Sequence, residues 1–322
     1  MRANRVKPSI WKILSVPFCA VFFLAYALVP SQGFGSWSSM ATALSKRTEV
    51  AVAAVGNNIY VAGGFGRLGV TSRVEEYNTI TNSWREVAPL PRRLHHAGIG
   101  EANGKLYVIG GFQGNISWRP SNSLYEYDPA SDRWMARRPM PTARGALGVG
   151  VYQGRLYAIG GFANGRNVSA NEGYDPRENR WTALAPLPTS RDHLAVAVVG
   201  DMLFALGGRL NSSYARNLDI HEAYDIKRDR WSKKASLPLP RSGIAAAVLR
   251  SKVYVFGGEA PEGTMNLNEA YDPSRDGWMT MPPMPTSRHG LGAAVVGDKI
   301  YVIAGGPRPG GSFSNVNEVF TP

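Results

Sequence analysis

Short apolar runs recur along the chain, each ending in a pair of small residues. Lys252 to Phe256 reads Lys-Val-Tyr-Val-Phe before Gly257-Gly258, and Lys299 to Ile303 reads Lys-Ile-Tyr-Val-Ile before Ala304-Gly305. β-Branched and aromatic residues in so short a run favour a strand over a helix. Upstream of each run lies a stretch of small residues, such as Ala51 to Val55 or Ala245 to Val248. Turn signals such as Gly104-Lys105, Gly154-Arg155 and Gly200-Asp201 separate the two stretches, which read as hairpins. Asp-Pro turns at Asp128, Asp175 and Asp272 then lead into a strand carrying a tryptophan. Sustained helical periodicity is confined to the N-terminus.

The pattern keeps strict register. Trp37, Trp84, Trp134, Trp181, Trp231 and Trp278 stand 47, 50, 47, 50 and 47 residues apart. Tyr77, Tyr127, Tyr174, Tyr224 and Tyr271 each precede the next tryptophan by seven residues. Tyr60, Tyr107, Tyr157, Phe204, Tyr254 and Tyr301 each stand three residues before a small-residue pair. Self-similarity at this period marks a repeat architecture.

A glycine doublet after an apolar strand, followed by Tyr and Trp at fixed spacing, resembles the Kelch repeat over roughly Ser36 to Pro322. The resemblance implies an all-β fold, a β-propeller of six four-stranded blades around a central channel. Asn317-Glu318-Val319-Phe320 matches Asn268-Glu269-Ala270-Tyr271, so the sixth unit stops at its third strand. The missing fourth strand is expected at Trp37, closing the last blade with the N-terminal strand of residues 36–322. Small residues suit the innermost strands, which crowd near the axis.

Residues 1–35 differ in composition. Arg2, Arg5, Lys7 and Lys12 precede an apolar run from Ile13 to Val29, the form of an export signal or an N-terminal membrane anchor. Gly33-Phe34-Gly35 offers a cleavage site before Ser36, and Ala25-Tyr26-Ala27 a second. Either reading predicts an extracytoplasmic propeller, secreted, periplasmic or tethered, with membrane contact only through this segment. Cys19 is the only cysteine, so residues 36–322 contain neither a disulfide nor a cysteine metal site. The net charge of +12 falls to +8 without the four leader cations, which favours anionic partners. No basic run with interleaved aromatics points to nucleic acid.

The candidate chemistry lies in the repeat columns. Arg47, Arg144, Arg191, Arg241 and Arg288 each follow a tryptophan by ten residues; the second unit has Leu94 there. They precede the innermost strands, which predicts a ring of guanidinium groups at one mouth of the channel, able to pair with carboxylates. The alternative is that each arginine binds backbone carbonyls and holds the blades. His96, His193 and His289, with His95, fall one or two residues past this column and are expected at the same entrance. The acidic column Glu75, Glu172, Glu222, Glu269 and Glu318 reads as structural.

Loops after the doublets vary in sequence while the frame does not, the usual place for specificity. Trp118 stands outside the tryptophan column as a candidate stacking anchor. Gly64-Phe65-Gly66-Arg67-Leu68-Gly69 spells a dinucleotide fingerprint but opens no helix, and no metal-ligand spacing appears, so no metal or cofactor is expected. Galactose oxidase shares the propeller, yet its copper chemistry requires a cysteine that residues 36–322 lack. The expected function is a monomeric binding module for a protein, acidic peptide or sugar acid at the mouth. The alternative is a cofactor-free sugar mutarotase or epimerase resembling the exported sialic-acid mutarotases.

Overall fold

A computed structural model describes residues 35–322, and the leader over residues 1–34 lies outside the described residues. Six four-stranded antiparallel sheets form six blades. Blade I runs from Ala51 to Val87, blade II from Gly98 to Ala136, blade III from Gly148 to Ala183, blade IV from Ala195 to Lys233 and blade V from Ala245 to Thr280. Blade VI combines Gly292–Val296, Lys299–Ile303 and Asn317–Thr321 with Ser36–Ser39. That last strand closes the ring as expected, with Trp37 opposite Phe320 and Ser36 opposite Thr321. Among the described residues, no helix is long and apolar enough to cross a membrane.

Innermost strands pack against one another, and their small residues explain how. A Cβ at Gly98, Gly148 or Gly292 would run into Val149, Val196 or Val52 of the next blade. Each interface between blades holds its own apolar cluster; Ile59, Val61 and Tyr77 of blade I, for example, meet Tyr301 and Val319 of blade VI.

The doublets hold neighbouring blades at backbone level. The N–H groups of Gly64, Gly111, Gly161, Gly208 and Gly258 donate to the carbonyls of Leu94, Arg144, Arg191, Arg241 and Arg288 in the next blade. Gly305 donates to Arg47 O and completes the circle. The first doublet residue takes positive φ, and in blade VI it is Ala304 at φ 58°. An L-residue there costs about 1–2 kcal/mol. Glycine recovers that strain and loses part of the gain to chain entropy. Ala304→Gly is therefore expected to stabilise by about 0.5–1 kcal/mol, read from urea unfolding; a loss of stability would contradict the strain.

The outer strands add a second clasp. Each column tyrosine donates its hydroxyl to an acceptor two residues before the tryptophan: Asn82, Asp132, Asn179, Asp229 or Asp276. The same oxygen accepts an N–H from the preceding blade, at Ala41, Ala88, Arg138, Ala185 or Ala235. The tryptophan Nε1–H donates to the carbonyl of that same residue. In blade VI Trp37 donates to Pro282 O at 2.9 Å. Proline has no N–H to satisfy, so the seam leaves no donor unmet.

Candidate functional site

The five column arginines are almost fully buried, at 0–1% exposure. Arg191 donates to Ala205 O, Gly207 O and Thr189 O and pairs with Glu222 at 2.6 Å. Arg144 with Glu172, Arg241 with Glu269 and Arg288 with Glu318 repeat that 2.6 Å pair, and Arg47 meets Glu75 at 3.0 Å. None of the five guanidinium groups reaches the mouth. The expected arginine ring is corrected to a set of braces inside the blades, because the buried guanidinium groups turn to blade carbonyls and to the glutamate column. Blade II lacks the brace entirely: Leu94 and Tyr125 replace arginine and glutamate together and pack in one apolar cluster.

The mouth is built from the residues just after the braces. Two positions past the arginine column, Glu49, His96, Ala146, His193, Gly243 and Gly290 all lie at φ between 52° and 65°. Their backbones form a closed ring. Glu49 N–H donates to Gly290 O, Gly290 to Gly243, Gly243 to His193, His193 to Ala146, Ala146 to His96, and His96 to Glu49, at 2.7–3.1 Å. Below this ring the channel is walled by Val50, Leu147, Leu194, Ile244 and Leu291. Above it opens a cavity of about 420 Å³.

The loops that follow the doublets enclose the cavity, and five of them fold as small hairpins, for example Phe112–Gln113 with Arg119–Pro120. The first loop residue pairs with the residue after the brace, as Phe65 with Thr48, Asp192 with Arg209, and Ser242 with Glu259. That column is Phe65, Phe112 and Phe162 in blades I to III, then Arg209, Glu259 and Gly306. The cavity is therefore two-sided. Trp118 stacks near His96 at 4.8 Å and Phe112 at 5.4 Å on the aromatic wall. On the polar wall Arg209 binds Glu259 at 2.7 Å, Asp192 at 3.4 Å and His193 Nε2 at 2.6 Å.

His96 and His289 line the cavity, and His193 lies behind Arg209, so the fold gathers all three expected histidines. His96 Nε2 reaches Glu49 at 3.2 Å, and His289 Nε2 stands 3.6 Å from both Glu49 and Glu259. Burial pushes Glu49 up to about 8, and the charge of Glu259 adds to this. Burial also lowers His95, His96, His193 and His289, His95 to about 3. Glu259 and Asp192 are net lowered despite burial, Glu259 by His289 and Arg209, Asp192 by its bond to His193. Near neutral pH the floor thus carries uncharged imidazoles and a protonated Glu49 beside an ionised Asp192–Arg209–Glu259 chain.

Glu49, Asp192, Arg209 and Glu259 had no separate signal of spacing. Their signal is departure from the repeat: in columns otherwise filled by phenylalanine, histidine or small residues, these positions carry a carboxylate or a guanidinium.

A family model described as the KLHDC2/KLHL20/DRC7 Kelch-repeats domain matches residues 49–258, more than half of the chain. The chain belongs to the Kelch-repeat family. A Kelch motif model also matches residues 240–285. Kelch-like protein terF of Aspergillus terreus is 36% identical over 89 residues, covering 24% of this chain and 19% of that protein. Human Kelch-like protein 11 is 45% identical over 67 residues, covering 21% of this chain and 9% of that protein. The Kelch chain thus spans less than a fifth of the length of these curated relatives. The solved structure named "Structure of YjhT" superposes with a TM-score of 0.77 at 16% identity, covering 88% of this chain and 97% of the other, which shows a shared fold.

Proposed function

We propose that this Kelch propeller is an extracytoplasmic, monomeric recognition module whose mouth cavity takes a carboxylate-bearing ligand, an acidic peptide segment of a protein or a sugar acid. The observation that carries this reading is the charge of the rim. Arg67, Arg119, Arg166, Arg216 and Arg308 are exposed, one on each of five mouth loops, against a single exposed acid, Glu262, on the sixth. Arginines spread around a concave opening focus negative ligands and pair with them bidentately. The braces that the sequence suggested for this task are replaced in it by these rim arginines. The leader supports export, and fractionation of expressing cells with N-terminal sequencing tests that half; a cytoplasmic product beginning at Met1 refutes it.

The binding half is tested by calorimetric titration with N-acetylneuraminate and with an oligoglutamate peptide at low and high salt. At least one probe is expected to bind, several-fold more weakly in high salt and in the Arg119→Ala/Arg308→Ala protein. Failure of both probes, or binding indifferent to salt and to both substitutions, overturns the reading.

A second reading is a cofactor-free sugar mutarotase, favoured by the two-sided cavity. An aromatic wall at Trp118 and Phe65 facing a polar wall at Arg209 and Glu259 suits a pyranose, which has apolar faces and hydroxylated edges. Accelerated mutarotation of a sugar acid by the purified protein would select this reading over binding alone.

A further inference from the structure

We propose that Glu49, Glu259 and His289 form a zinc site at the floor of the mouth cavity. The three residues come from blades I, V and VI, so no local spacing in the sequence links them. All three line the cavity. Glu49 Oε1, Glu259 Oε2 and His289 Nε2 face one another, with all three atoms within 4.8 Å.

The hydrogen bonds fix what each atom can do. His289 Nδ1 lies 3.1 Å from Gly306 O, and a carbonyl only accepts, so Nδ1 carries the proton. Nε2 then presents a lone pair to two carboxylate oxygens, each 3.6 Å away. A cation binding here displaces the Glu49 proton, after which three acceptor atoms converge on it. A ring nitrogen held by a backbone carbonyl behind it is the usual outer support of a metal-ligating histidine. The remaining carboxylate oxygens are held apart from this point. Glu49 Oε2 meets His96 at 3.2 Å, and Glu259 Oε1 accepts from Arg209 at 2.7 Å.

The donor set and the distances suit zinc. Tetrahedral zinc with bonds of about 2.1 Å separates its ligand atoms by about 3.4 Å. The two observed separations of 3.6 Å fit this with little adjustment. Two carboxylates and one imidazole leave the fourth position open toward the cavity, as in zinc sites that receive an exogenous ligand. Charge agrees as well. Arg209 lies between Asp192 and Glu259 and its single charge offsets only one of the two, which leaves negative charge at the floor for a divalent cation to neutralise.

Glu49 holds φ 54°, a conformation it shares with every other position of the backbone ring. Gly306 makes room for the imidazole, since a Cβ there would collide with His289 Cε1 at 2.5 Å.

The test uses the full chain, stripped with a chelator and titrated with zinc alone by calorimetry, followed by metal analysis after gel filtration. One zinc per chain is expected, with affinity lowered at least 100-fold in His289→Ala and in Glu49→Gln, both checked for folding by circular dichroism. Cobalt in place of zinc should give the intense visible bands of a tetrahedral centre. Absence of stoichiometric zinc in the folded protein overturns the site. So does zinc binding that survives both substitutions, or that is lost in His193→Ala while His289→Ala retains it, which would place the ion at the neighbouring Glu49–His96–His193 group. No organic ligand enters these measurements, so their outcome is separate from that of the rim-arginine reading.

Discussion

Replacing Arg191 with alanine is expected to destabilise the propeller by about 3–5 kcal/mol, the usual result of stripping one partner from a buried ion pair. Arg191 and Glu222 have side chains exposed by no more than 1%, so the substitution leaves a carboxylate in the blade without its counter-charge. It also frees the carbonyls of Ala205 and Gly207, which the guanidinium now occupies. Blade II shows how the loss is repaired, because Leu94 and Tyr125 fill the same two positions without charge. The double replacement Arg191→Leu/Glu222→Tyr is expected to recover most of the stability that the single one loses, since a packed apolar pair can replace a buried ionic one. Urea unfolding followed by tryptophan fluorescence measures both. A single substitution costing less than about 1 kcal/mol, or a double no better than the single, would refute the brace. Ligand affinity per folded molecule should not change, because no brace arginine reaches the cavity.

Deleting Ser36–Ser39 carries the second large effect. These residues supply the outer strand of blade VI, and Trp37 is its main contact. Its ring lies 5.0 Å from Phe320 and 5.9 Å from Phe256 of blade V, so one residue spans the seam. Loss of a packed tryptophan alone costs about 3–5 kcal/mol, and the strand pairing with Asn317–Thr321 is lost with it. The deletion also exposes the edge of Asn317–Thr321, a template for pairing with other chains. Lower thermal stability and concentration-dependent association are therefore expected, by calorimetry and light scattering. A deleted protein that melts like the intact one would show that the ring does not depend on its N-terminal strand.

The linear pattern of residues dictates the number of blades, the order of strands and the place of closure. Each depends on short-range rules, short apolar runs, glycine where φ must be positive, and aromatic residues at fixed spacing, that recur around the ring and so reinforce one another. It also determined that the column glutamates are structural, since a residue repeated in nearly every blade serves what every blade needs. Where the arginines point is set by the folded chain. Their column is as regular as that of the tyrosines, and regularity does not distinguish a ring facing the channel from one turned into the blades. That choice rests on partners about thirty residues away, Glu222 for Arg191 and Glu318 for Arg288, whose carboxylates offset the cost of burying the charge. The cavity is tertiary for the same reason. Glu49, Arg209, Glu259 and His289 break the repeat at separate points of the chain, and they become one constellation only because closing the ring brings six strand entrances onto a single axis.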